Sequence, residues 1–106
     1  MKIAPTGNLK QILEKDPDHL IYLTSVTCGP CRALKPAIDY LDDQLPYVMT
    51  VLSNYAPYEN EFTRPLIEEL RDDLGVGMSV PRLLIFEAGV YVGEKRGLYE
   101  ISDYLT

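Results

Sequence analysis

Residues 19–41 read HLIYLTSVTCGPCRALKPAIDYL, and their order decides the fold. The first part, His19 to Ser25 with Val26 following, is nearly continuous in apolar character. Such a run fits a strand buried on both faces. The last part is periodic: Leu34, Ala37, Ile38, Leu41 and then Leu45 recur every three or four residues. That spacing predicts a helix over about 29–44 with one stripe facing a core. Pro36 falls inside it and should kink it. Between strand and helix lie Thr27, Cys28, Gly29, Pro30 and Cys31.

Cys28 and Cys31 are the only cysteines in the chain. A disulfide between them closes a very small ring and adds about 2 kcal/mol by loop entropy, less than a longer bridge. The spacing therefore suits chemistry better than reinforcement. The thiolate is the nucleophile in disulfide exchange, and a free cysteine titrates near 8.5. At a helix start, Cys28 faces unpaired backbone N–H groups and the positive end of the helix dipole. The dipole alone lowers its pKa by about one unit; further depression requires hydrogen bonds. Gly29 leaves room for a substrate backbone, and Pro30 presets the helical φ where a missing N–H costs nothing. Cys31, one turn on and less exposed, is the candidate resolving thiol. Burial raises its pKa, so its deprotonation needs help.

Other uses of two cysteines stay open. Zinc needs about four ligands, and the chain adds only His19 to the pair. An iron–sulfur cluster shared between two chains, or two inert buried thiols, are the remaining readings. A redox dithiol calls for no cofactor and no metal. His19 is expected to be exposed at a strand start.

Outward from this centre, Asn8 caps a first helix with Leu9, Ile12 and Leu13 on one face, ended by Asp16-Pro17-Asp18. A second strand runs from Tyr47 to about Tyr55. Residues 56–63 are polar and turn-rich. Pro65 suits the first turn of a helix with Leu66, Ile67, Leu70 and Leu74 inward, and Gly75 stops it. Arg82–Phe86 and Val90–Glu94 form strands joined at Glu87-Ala88-Gly89. Ile101, Tyr104 and Leu105 mark a last helix. The order αβαβαββα predicts an α/β fold, a central mixed four-stranded sheet with helices on both faces, and one domain over 1–106.

Composition bounds the rest. The chain has 106 residues, 46% hydrophobic and 25% charged, with a formal net charge of −6. That balance argues against a nucleic-acid groove. No run of about 18 apolar residues spans a membrane. The N-terminus lacks the apolar core of a secretory signal, so a cytoplasmic location is expected. The acidic pairs Asp42-Asp43, Glu68-Glu69 and Asp72-Asp73 read as solvated helix faces.

Cys28-Gly29-Pro30-Cys31, Pro36, Val80-Pro81 with the strand after it, Gly89 and Gly97, in that order, resemble the thioredoxin family over roughly residues 8–105. The resemblance implies a thioredoxin-like fold and a thiol-disulfide oxidoreductase that reduces protein disulfides. It implies that Val80-Pro81 is cis and packs on the dithiol. Thr27, Gly29, Pro30, Val80, Pro81 and Gly97 then form the substrate surface. Disulfide-containing proteins are the implied substrates, a thioredoxin reductase the electron donor, and a monomer the expected state. The sequence also departs from the family. Thr27 replaces the usual tryptophan. Tyr22 stands where the family places a buried aspartate and reads as core packing. Arg82 replaces a threonine, either as a cation near the dithiol or as a solvent-facing residue. The stretch with Tyr55, Tyr58 and Phe62 is longer than in compact members. Ser79-Val80-Pro81 also resembles the glutaredoxins, whose substrates are glutathione mixed disulfides. A non-enzymatic interaction module on the same fold is the third reading.

Overall fold

In a computed structural model, residues 1–41, 44–53 and 59–106 are described. The elements are β1 (Lys2–Ile3), α1 (Leu9–Lys15), β2 (His19–Thr24), α2 (Gly29–Leu41), β3 (Val48–Ser53), α3 (Thr63–Asp72), β4 (Arg82–Glu87), β5 (Val90–Arg96) and α4 (Gly97–Leu105). They form a mixed sheet in the order β1-β3-β2-β4-β5. The expected four strands become five. Lys2 and Ile3 pair in parallel with Met49 and Thr50. A two-residue strand is too short to show an alternating pattern, so periodicity gave no sign of it.

β2 is central because it can be buried on both sides. It pairs parallel with β3 and antiparallel with β4. Its side chains alternate between two cores. Ile21 and Leu23 pack under α1 and α3 with Leu9, Ile12, Leu66 and Leu70. Leu20 and Tyr22 pack under α2 and α4 with Leu34, Ile38 and Ile101. Each fully buried aliphatic side chain contributes about 1.5–3 kcal/mol.

The helix ends follow local chemistry. Asn8 Oδ1 accepts the Gln11 N–H and Gln11 Oε1 accepts the Asn8 N–H, both at 2.9 Å, a reciprocal cap on α1. Glu69 of α3 accepts the Leu9 N–H at 3.0 Å, so this acid ties two helices together and is not only a solvated charge. Glu68, Asp72 and Asp73 are exposed, while Asp42-Asp43 lie outside the described residues. So do Tyr55 and Tyr58, and the side chain of Leu41. Leu74, expected inside, is exposed because α3 ends at Asp72 before reaching it; Val76 fills the core instead. Tyr104 is also at the surface, beside buried Ile101.

His19 corrects another expectation: it is fully buried. It opens the central strand between Val48 and Phe86, so both neighbouring strands cover it. Its Nε2 lies 2.5 Å from Thr50 Oγ1. β4 and β5 meet at Ala88 and Gly89, both with positive φ (52° and 79°), as a two-residue hairpin turn requires. Asp18 Oδ1 accepts the Ala88 N–H at 3.1 Å, and the Pro17 carbonyl accepts the Gly89 N–H at 3.0 Å.

Candidate active site

The β2–α2 junction presents the dithiol. Ser25 Oγ lies 3.0 Å from Thr27 Oγ1, and the Ser25 carbonyl accepts the Cys28 N–H at 3.3 Å, which fixes the turn after β2. Helix α2 begins at Gly29, and its first backbone bond runs from the Arg32 N–H to the Cys28 carbonyl at 3.1 Å. Cys28 therefore occupies the capping position. Its Sγ accepts the Cys31 N–H at 3.2 Å, in the place where an Asn8 oxygen serves α1. A donor three residues into the helix thus points at the sulfur, and a thiolate accepts such a bond better than a thiol does.

Cys28 and Cys31 are joined as a disulfide with their Cα atoms 5.2 Å apart. Cys28 is half-buried and Cys31 only 3% exposed. Thr27, Gly29 and Pro30 are exposed around Cys28. A Cβ added at Gly29 would meet nothing within 4 Å, so internal packing does not demand glycine there.

The Val80-Pro81 peptide bond is cis. Cys28 Sγ lies 3.8 Å from the Val80 carbonyl oxygen. The Pro81 carbonyl accepts the Gly97 N–H at 3.1 Å, so the start of α4 holds the same loop. The structure thus brings Thr27, Cys28, Gly29, Pro30, Val80, Pro81 and Gly97 to one end of the sheet.

Arg82 overturns one of the two expectations for it, that of a solvent-facing residue. It is 5% exposed, so it does not face solvent. Its guanidinium is engaged by Glu94, at 2.7 and 2.8 Å from the two carboxylate oxygens, and by Ser79, at 2.7 Å from Oγ and 3.3 Å from the carbonyl oxygen. Its charge is taken up by β5 and by the loop before Pro81. Glu94 and Ser79 gave no sequence signal of this role, because twelve and three residues separate them from Arg82 along a hairpin and a loop.

Tyr22 is buried in the α2-side core, as its packing role required. Burial raises its phenol above the ordinary value near 10, with the Thr24 hydroxyl opposing the rise. By distance and angle the Tyr22 hydroxyl has no hydrogen-bond partner. Nearby, Asp39 accepts from Lys2 and, at 2.6 Å, from Lys35. Those two ammoniums hold the Asp39 carboxyl below the usual carboxylate range. Only the Lys35–Asp39 half, an i,i+4 pair, was legible from spacing. Among the described residues no group of three His, Cys, Asp or Glu is placed to hold a metal ion, and no helix is long and apolar enough to cross a membrane.

No family model and no curated protein matches this sequence. Solved structures do match it. The reduced thioredoxin pre-protein of Schistosoma mansoni is 18% identical, with 98% of this chain and 92% of that one covered and a TM-score of 0.68. Thioredoxin from Aeropyrum pernix is 17% identical over 97% of this chain and 81% of its own, with a TM-score of 0.69. Thioredoxin O1 from Arabidopsis thaliana in its oxidized state is 22% identical over 98% and 94%, with a TM-score of 0.62. What these likenesses establish is the architecture: the chain is a thioredoxin-like protein in fold.

Proposed function

We propose that this protein is a thiol-disulfide oxidoreductase that reduces protein disulfides, with Cys28 as nucleophile and Cys31 as resolving thiol. The observation that carries the reading is the placement of Cys28: half-buried at the cap of α2, accepting the Cys31 N–H, with Cys31 close enough to pair. In the reduced protein, the Cys28 thiolate attacks one sulfur of a substrate disulfide. A mixed disulfide forms and the other substrate sulfur leaves as a thiolate. The Cys31 thiolate then attacks Cys28 Sγ. The mixed disulfide breaks, the second substrate thiolate leaves, and the Cys28–Cys31 bond forms. Two electrons pass from the dithiol to the substrate. A reductase of the thioredoxin reductase class returns them.

The substrate surface in this reading comprises Thr27, Gly29, Pro30, Val80, Pro81 and Gly97. An extended substrate segment lies against the Val80 backbone beside Cys28, in the manner of strand addition. Without a tryptophan at position 27, that surface is small, which suits a narrow substrate range. The protein acts as a monomer in the cytoplasm.

The test is a trap. Cys31→Ser incubated with a disulfide-bonded protein such as insulin should accumulate a mixed disulfide through Cys28, seen by mass spectrometry and released by dithiothreitol. Cys28→Ser should trap nothing. Wild-type protein should precipitate insulin in the presence of dithiothreitol. Equal trapping by both variants, or none by either, would reject the assignment of roles.

A further inference from the structure

A cavity of about 290 Å³ is lined by residues of α2, of the C-terminal ends of β2 and β3, and of the turn after β2. Tyr22, Ile38 and Val51 form apolar wall, and Cys31 also lines it. Cys28, Val80 and Pro81 do not line it. The cavity therefore borders Cys31 without including the residues proposed to meet substrate. It has about twice the volume of the roughly 150 Å³ apolar cavity that accepts benzene. It also sits near the lower end of the sizes that hold small-molecule ligands, about 300 Å³ and above.

Two further observations say what suits it. Tyr22, 3% exposed, lines this cavity, and its hydroxyl is buried without a hydrogen-bond partner. Buried polar atoms are normally paired, so the site offers one unmet polar anchor among apolar surfaces. The charged lining residues are Lys2, Arg32, Lys35 and Asp39. Lys2 and Lys35 both pair with the Asp39 carboxylate. Leaving Lys2 aside, Arg32 and Lys35 face the one carboxylate of Asp39 among the described lining residues, on a chain whose formal net charge is −6. Lys35 keeps 70% of its side chain exposed at the mouth.

We propose that this cavity binds a small amphipathic carboxylate, its aryl or alkyl body against Tyr22, Ile38 and Val51 and its anionic head at the Lys35 and Arg32 rim. Such a ligand covers Cys31 and leaves Cys28 open. The site stands whether or not the dithiol turns over disulfides, since its wall is present in the oxidised chain.

The oxidised full-length chain is titrated with 4-phenylbutyrate and, separately, with uncharged 4-phenylbutanol, following backbone amide shifts by NMR. The acid should saturate with a dissociation constant of about 1 mM or tighter. Its shifts should cluster at Tyr22, Lys35, Ile38 and Val51, and the alcohol should bind at least tenfold more weakly. Lys35→Gln, a surface change that leaves the fold intact, should weaken the acid at least threefold and leave the alcohol unaffected. In the reduced protein, the acid should slow alkylation of Cys31 and not of Cys28. Absence of saturable shifts at these residues, shifts scattered over surface lysines, or equal binding of acid and alcohol would each overturn the proposal. None of these readouts depends on disulfide turnover.

Discussion

At the scale of single residues, two buried polar side chains separate this chain from an ordinary reading of its pattern. His19 is enclosed at the head of β2, and burial lowers its imidazole below the ordinary 6.5, with Asp16 opposing. The unfolded chain therefore takes up a proton near pH 6.5 that the folded chain refuses until lower pH. Stability is complete above that value and falls as pH drops through it toward the folded pKa. Urea midpoints measured between pH 7.5 and 5.5 should decline, and His19→Gln should flatten the decline in that window. The Asp39 carboxyl titrates well below it and does not interfere. The second side chain is Arg82. Breaking a buried pair leaves an uncompensated charge and costs about 3–5 kcal/mol. Glu94 is 25% exposed, so Glu94→Ala should fall toward the lower figure, read from urea unfolding. The double change Arg82→Met with Glu94→Leu should cost less than Glu94→Ala alone.

Neither side chain was legible in advance, for a physical reason. A polar residue at a strand start or after a proline reads as exposed unless both neighbouring strands are known. Here that cover comes from pairings far apart in sequence, His19 with Phe86 and Arg82 with Arg96. The dithiol was legible because its signal is local. A buried run, two cysteines three apart and an amphipathic stripe sit within 23 consecutive residues, 19 to 41.

At the scale of elements, α2 and α4 both begin with glycine, and the two glycines differ. Gly97 has φ +82, a conformation other residues adopt at a cost of about 1–2 kcal/mol. A Cβ there meets nothing within 4 Å, so Gly97→Ala should lose about that much stability through the backbone alone. Because Gly97 also donates to the Pro81 carbonyl, the loss should be accompanied by amide shifts at Val80. Gly29 has neither a positive φ nor a crowded Cβ position. Gly29→Ala should leave thermal stability unchanged or raise it by up to about 1 kcal/mol. If Gly29 serves substrate approach, kcat/KM for insulin reduction should still fall several-fold. Unchanged turnover in Gly29→Ala would remove it from the proposed substrate surface.

At the scale of the whole molecule, stability comes from two cores, one on each face of a sheet whose middle strand feeds both. The Cys28–Cys31 bond spans only three positions and adds about 2 kcal/mol at most by loop entropy. Reduction with dithiothreitol should therefore lower the unfolding free energy by no more than about that amount and leave a cooperative transition, measured by circular dichroism in urea. A reduced chain that loses its fold would show that the bridge is structural after all.

The hairpin corner at Ala88-Gly89 has a practical use. It is tethered twice to the α1–β2 connection, and β4 carries the chain from Ala88 to Pro81, about 23 Å away at strand rise. Glu87 is exposed at that corner. A biotin handle installed there would anchor the molecule to an electrode or sensor chip by its distal end, leaving the half-buried Cys28 on the side turned to the bulk solution.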